Sequence, residues 1–204
     1  MLNNAGWDLW ANEYDKAVEL CEEANEYPFA GYRNVLNTIY NRIKAGKGQT
    51  ILDIGFGTGV LSKRLYDEGV GIYGIDFSQE MIKIAKAKMP NATFYQYDFS
   101  KGLPTRLQDK KFDYIVCTYT IHHLNDAAKV SFIKELKSHL VPDGEILIGD
   151  VSFETSQERE RCKENADEKW DDAEYYISAE ELSKEFSDME FIKISFCSGV
   201  CVIK

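Results

Sequence analysis

The stretch Ile51-Leu52-Asp53-Ile54-Gly55-Phe56-Gly57-Thr58-Gly59-Val60-Leu61 constrains this chain more than any other. Two apolar residues lead into an aspartate, three glycines follow at every second position, and a helix-like run comes next. A strand ending in closely spaced glycines turns sharply and lays bare backbone against a ligand, an approach that side chains would block. The helix that follows opens with free N–H groups aimed at the same place, which suits an anion or a carboxylate. The stretch reads as a cofactor loop, and the rest of the chain must say which cofactor.

From residue 49 onward, β-type runs alternate with helical ones. Strands are expected at Thr50–Ile54, Gly71–Phe77, Thr93–Asp98, Phe112–Tyr119 and Glu145–Phe153. Helices are expected at Leu61–Gly69, Gln79–Met89 (stopped by Pro90) and Ala127–Leu140 (ending near Pro142). Such alternation implies a parallel sheet with helices on both faces. Before it, Tyr32, Val35, Leu36, Ile39 and Ile43 recur at helical spacing, so residues 1–46 read as a helical extension packed onto the core rather than a second domain. After it, residues 154–174 are charged and read as helical, and Ser178 reads as the cap of a further helix. Phe191–Phe196 and Val200–Ile203 then form β-runs separated by Ser198-Gly199, which is hairpin chemistry. A chain of 204 residues is the size of one domain. It divides into an extension (1–46), a cofactor core (49–153) and a terminal segment (154–204).

The dinucleotide fingerprint places its third small residue where this chain has Val60, and a parallel sheet finished by an antiparallel hairpin is not the NAD-binding arrangement. Asp76 ends the second strand, where a carboxylate can accept from two ribose hydroxyls. Asp98 ends the third, within reach of an adenine amino edge, with Phe77 and Met81 placed to sandwich the base. Asp53, Asp76 and Asp98 face one carboxyl edge of the sheet, where open α/β sheets bind ligands. Together they suit a cationic sulfonium amino acid joined to adenosine better than a pyrophosphate. The alternative is that each acid only caps the next helix.

The order Leu52-Asp53-Ile54-Gly55-Phe56-Gly57-Thr58-Gly59, Gly74-Ile75-Asp76, Tyr97-Asp98-Phe99 and Phe112-Asp113-Tyr114-Ile115-Val116 resembles the class I S-adenosylmethionine-dependent methyltransferases. With Tyr119-Thr120-Ile121-His122-His123-Leu124, it is most similar to their small-molecule type. More narrowly, residues 10–15, Phe29-Ala30-Gly31-Tyr32, His122-His123-Leu124 and Glu174-Tyr175-Tyr176 are similar to the YrrT-type methyltransferases of Gram-positive bacteria, a group defined by sequence that names no substrate. The resemblance implies a Rossmann-like three-layer α/β/α sandwich around a seven-stranded mixed sheet of order 3-2-1-4-5-7-6, strand 7 antiparallel. It implies that Gly55, Gly57, Gly59 and the loop backbone approach the methionine part of S-adenosylmethionine (SAM) while Asp53 holds its ammonium. Asp76 would take the ribose, Asp98 the adenine amino group, and the Phe99 N–H a ring nitrogen. Thr118 would border the methyl group, and Tyr14 would close over cofactor and substrate.

Transfer of a methyl group from a sulfonium is an in-line displacement whose reactivity the cofactor supplies, leaving the protein to align the acceptor and exclude water. A base is needed only where the acceptor must lose a proton. His122 and His123, just after the fourth strand, are the candidates for it, with packing against the next helix as the alternative. Asp150 follows the fifth strand and faces the active edge, or else caps a loop. Tyr32, Tyr175 and Tyr176 belong to the two aromatic-rich segments expected to line an acceptor pocket.

The net charge of −10 argues against a nucleic-acid partner, and the N/D/S-P-P-Y/F tetrapeptide of nucleic-acid amino-methyltransferases is replaced by Cys117-Thr118-Tyr119-Thr120. Neither H-E-x-x-H nor CxxC signals a metal, and five scattered cysteines make no disulfide framework. With no transmembrane-length run, the expected place is the cytoplasm, as a monomer or homodimer. The reading is a SAM-dependent methyltransferase acting on a small-molecule acceptor and releasing S-adenosylhomocysteine. Its rivals are a non-catalytic binder of either compound and an NAD(P)-dependent oxidoreductase.

Overall fold

The computed structural model describes residues 16–46 and 49–204; Tyr14 lies outside them. A helix through residues 16–23 (α1) is followed by α2 (Tyr32–Gly46). The core then runs β1 (Thr50–Ile54), α3 (Val60–Asp67), β2 (Gly71–Asp76), α4 (Gln79–Lys88), β3 (Thr93–Gln96), β4 (Phe112–Thr118), α5 (Asp126–Lys137) and β5 (Leu140–Phe153). The terminal part holds α6 (Ser156–Ala166), β6 (Ile177–Ser178), the single turn α7 (Ala179–Leu182), β7 (Glu190–Lys193) and β8 (Ser198–Ile203). The sheet order is β3-β2-β1-β4-β5-β8-β7, with β8 antiparallel to β5 and β7 antiparallel to β8. This is the Rossmann-like methyltransferase arrangement, with one addition. The two-residue β6 pairs with β5 outside the main path and makes the sheet eight-stranded.

Alternation along the strands builds two cores. Ile51, Tyr114, Val116, Leu147, Val200 and Val202 face α2, α3 and α4, while Leu52, Ile115, Cys117, Ile146, Ile148 and Cys201 face α5 and the segment through Phe186. Helix α2 packs its Val35-Leu36-Ile39-Ile43 stripe onto β5 and β8. The contact is intimate because β5 carries Gly149, where a Cβ would lie 2.4 Å from Val35 Cγ1 and 2.8 Å from Ile39 Cδ1. A two-pronged ion pair from Arg42 to Glu145, at 2.6 and 3.0 Å, fastens the other end. Asp113 ties β4 to the start of β1 by accepting from the Thr50 N–H and hydroxyl at 2.9 and 2.8 Å.

Several local expectations are corrected. Ser198-Gly199 is not the hairpin turn: both residues lie in β8, and the turn is made by residues 194–197. Gly199 is required instead by the Phe191 ring, which a Cβ would meet at 2.6 Å. Strand β5 begins at Leu140, five residues earlier than expected, and joins β4 through an irregular register after Phe112. The region 154–174 is helical only to Ala166, with one further 3-10 turn at Asp167–Lys169. Ser178 precedes α7, but its side chain makes no cap.

Candidate active site

The strand-end loops of β1, β2 and β4 enclose a cleft of about 780 Å³, counted out to its open mouth and including the solvent there. Asp53 forms part of its floor and is 1 % exposed. Its Oδ2 accepts from the Ser62 hydroxyl at 2.5 Å, and its Oδ1 is buried with no hydrogen bond among the described residues. Burial pushes this carboxyl up to about 7, against the pull of the Ser62 bond and with help from the negative charge of Asp76. A buried carboxylate without a cation is costly. The arrangement fits a ligand that brings one.

Asp76 is held by two backbone amides: Oδ2 accepts from Gly57 N–H and Oδ1 from Ser78 N–H, both at 2.9 Å. Its carboxylate thus closes the glycine loop and stands in the cleft wall. Phe77, Met81 and Phe99 line the same wall. The three glycines have different reasons. At Gly57, with φ +57°, a Cβ would meet nothing within 4 Å, so this is the position whose bare face opens toward a ligand. At Gly55, which also lines the cleft, a Cβ would strike the Thr120 side chain at 2.4 Å. Gly59 does not line the cleft, because its bare face takes Met89 of the α4 terminus. Asp98 stands apart as well, for it caps the next turn through Ser100 N–H and Oγ at 3.1 and 2.7 Å and faces Lys101 at 3.4 Å.

Past β4 the chain reverses through Tyr119, whose φ of +49° is strained for a residue with a side chain. Its ring packs between Phe29 and Tyr32, at 5.4 and 5.1 Å, and Thr118, Tyr119, Thr120 and Tyr32 all line the cleft. The following turn, Ile121–His123, separates the two histidines. His122 is 8 % exposed, and its Nδ1 lies 2.6 Å from Asp150 Oδ1. Asp150 sits inside β5 rather than after it, fully buried, and also accepts from Thr120 and Val151 N–H at 3.2 and 2.7 Å. That carboxylate is spent on His122 and its own neighbours and does not line the cleft. Burial alone would lower the His122 imidazole, but the charge and hydrogen bond of Asp150, with Glu174 behind them, raise it above the ordinary histidine value. His123 differs: burial first, then the neighbouring His122, bring it down to about 4, and its ring lines the cleft.

The segment after α6 covers the far side of this turn. Tyr176 is buried, donates to Glu174 Oε2 at 2.6 Å and accepts from the Tyr27 hydroxyl at 2.5 Å. Tyr27 stacks on Trp170 with ring centroids 5.5 Å apart. Tyr176, Tyr27, Phe29, Tyr119, His122 and Glu174 line a second cleft. Tyr175 lines neither. The residue is 45 % exposed; its backbone donates to His122 O at 2.8 Å and accepts from Lys129 Nζ, which also lies 5.5 Å from the centroid of its ring. Sequence reasoning did not single out Ser62, Thr120, Tyr119 or Glu174 for the site. Only their place beside His122 hinted at Tyr119 and Thr120, and nothing local marks Ser62 or Glu174.

A glycine loop at the carboxyl edge of a parallel sheet, with a buried carboxylate beneath it, is the build of an α/β nucleotide-cofactor protein. A family model described as a methyltransferase domain matches residues 45–190. An uncharacterized methyltransferase of Geobacillus sp. (strain WCH70) is 34 % identical over 193 residues, covering 91 % of this chain and 87 % of the relative. The DhpI-SAM-HEP complex shares the fold at a TM-score of 0.70 and 20 % identity, over 97 % of this chain and 94 % of that one. Magnesium protoporphyrin IX methyltransferase from Synechocystis PCC 6803, with bound S-adenosylhomocysteine, does so at 0.67 and 19 %, over 86 % and 84 %. The chain belongs to the class I SAM-dependent methyltransferases. Its cofactor is SAM. Among the described residues no helix is long and apolar enough to cross a membrane.

Proposed function

We propose that this methyltransferase acts on a small-molecule acceptor, with SAM held across the cleft from Asp53 to Phe99. The observation that carries the placement is the buried Asp53 Oδ1, which has no hydrogen-bond partner among the described residues and belongs to the cleft floor. An ammonium group there would neutralise a carboxylate that burial otherwise disfavours. Asp76, fixed by Gly57 and Ser78, would take the ribose hydroxyls, while Phe77 and Met81 flank the base and Phe99 offers its N–H. Gly57 lets the backbone approach closely, and Thr118 borders the reacting end. In this reading Gly59 supports the loop from behind and Asp98 shapes its rim.

The bound cofactor supplies an electrophilic methyl group. The chain's own work is to orient the acceptor and exclude water. Tyr32, Tyr119 and His123 line the cleft near Thr118 and are proposed to meet the acceptor there. Asp150, Tyr175 and Tyr176 act at one remove, since Asp150 orients His122 and the Tyr175-Tyr176 segment covers the turn. The net charge of −10 opposes a phosphate backbone, and the aromatic lining of Tyr32 and Tyr119 beside Thr118 suits a small, partly apolar acceptor.

Calorimetric titration with SAM, S-adenosylhomocysteine and NADH tests the cofactor site. Micromolar binding of the first two, silence with NADH, and a loss of at least about tenfold in Asp76→Ala are expected, since a hydrogen bond to a charged group contributes roughly 1.5–3 kcal/mol. Unchanged affinity in that variant would move the site elsewhere. A labelled-methyl screen then separates small acceptors from RNA, DNA and protein. Transfer only to a macromolecule would overturn the small-molecule reading.

A further inference from the structure

The side chains of His122, His123 and Glu174 converge although 51 positions separate the second from the third. One donor atom from each lies within 4.8 Å of the other two. His122 Nε2 is 3.5 Å and His123 Nδ1 is 3.9 Å from the same Glu174 oxygen, Oε1. Two ligands about 2.0–2.2 Å from one ion, at a tetrahedral angle, lie roughly 3.3–3.6 Å apart. The two distances to Glu174 are close to that span, and the histidine donors, within 4.8 Å of each other, would draw together around an ion. We propose that these three residues form a site for a divalent transition ion of the zinc class, set against the reacting end of the cofactor cleft.

What surrounds the three donors supports this beyond their number. A metal-bound imidazole normally gives its other nitrogen to a carboxylate, which fixes the ring and strengthens it as a ligand. His122 has that arrangement, with Nδ1 on the fully buried Asp150 and Nε2 toward Glu174. The carboxylate ligand is oriented too, because Tyr176 donates to Glu174 Oε2 and leaves Oε1 facing the histidines. Two imidazoles and one carboxylate are a borderline donor set, unsuited to magnesium or calcium, which take oxygen ligands. Three protein ligands leave a coordination position open, as in catalytic rather than structural zinc sites.

The location says what that open position is for. His123 lines the cofactor cleft, His122 and Glu174 line the second cleft, and Tyr119 lines both. An ion here would sit where the two meet. It would hold an acceptor through an oxygen or sulfur atom and favour loss of that atom's proton without a protein base. This role in acceptor binding rests on the methyltransferase placement argued above, whereas ion binding itself does not. Motif spacing misses such a site because the carboxylate arrives from the covering segment after α6.

The test is cobalt titration of chelator-stripped protein followed by its visible bands, zinc competition, and metal analysis of the purified chain. One cobalt per chain, displaced by zinc, is expected. Glu174→Gln and His123→Ala should each weaken cobalt binding by at least about tenfold, Tyr176→Phe by less, and His139→Gln not at all. Circular dichroism confirms that each variant is folded. Lack of stoichiometric cobalt uptake, or a folded Glu174→Gln that binds cobalt as tightly as the parent, overturns the proposal. Calorimetry with SAM on the same stripped sample keeps the two readings apart. Cobalt binding without SAM binding would sink the cofactor placement and leave the metal site standing, and the reverse result would sink only the metal site.

Discussion

At the residue scale, Asp53 is a carboxyl whose charged form burial disfavours. Its folded carboxyl sits near 7 against 3.8 when free, so between those values the folded chain holds a proton that the unfolded chain has lost. Stability contributed by this group therefore falls as pH rises from about 4 to about 7 and stays low above. Asp53→Asn should raise the stability of the ligand-free protein by on the order of 2–4 kcal/mol at pH 8, and by less at pH 5. The same variant should bind SAM far more weakly, and parent affinity should climb between about pH 6 and 7.5. Thermal melts at the two pH values check this, and a larger gain at pH 5 would contradict it. The glycines make a second test. Gly57→Ala, strained by its positive φ but otherwise unobstructed, should cost about 1 kcal/mol of stability and abolish tight SAM binding. Gly59→Ala, which drives a methyl group to 2.7 Å from Met89 Cε, should cost more stability, recovered in part by Met89→Ala, and weaken SAM binding less. Denaturant unfolding paired with calorimetry separates the two, and equal losses of affinity would erase the distinction.

At the element scale, the seat of α2 on β5 is the least forgiving contact outside the sheet. Gly149→Val would drive branched methyl groups into Val35 and Ile39, and overpacking of this kind costs roughly 1–3 kcal/mol. Val35→Ala in the same chain should return part of it, which a double-mutant cycle in urea would reveal. Additive losses would mean that helix and strand are not coupled there. The elements were legible where hydrophobic period and punctuation agree. The Val35-to-Ile43 stripe marked α2, and Pro90 lay just past the end of α4. They were misread where a local signal served another purpose. Ser198-Gly199 has turn composition, yet Gly199 is there to admit the Phe191 ring within a paired strand. The early start of β5 was hidden by Pro142, which lies in the irregular register opposite β4.

At the scale of the whole molecule, cofactor binding should appear as cooperative stabilisation. SAM at about 100 times its dissociation constant adds roughly 2.7 kcal/mol, which for a chain of this size means a rise of about 5–10 °C in Tm. A scan in which saturating SAM leaves Tm unmoved would refute the placement around Asp53. The parallel βα alternation, the antiparallel end and the stations of Asp53 and Asp76 at strand ends were determined by the sequence alone, while the order of the strands came with the resemblance to the methyltransferases. Alternation of apolar residues, βα turns and the handedness of crossovers are local physics repeated along the chain. Which polar group meets which was decided only by the tertiary structure. Adjacent in sequence and both within reach of Glu174, His122 and His123 differ because one ring is fastened to the buried Asp150 and the other lines the cleft. Asp98 and Asp53 look alike in the sequence, yet the first spends itself on Ser100 while the second is buried with an oxygen to spare. Burial and long-range partners set the charge and reach of such groups, and neither exists until distant segments have packed together.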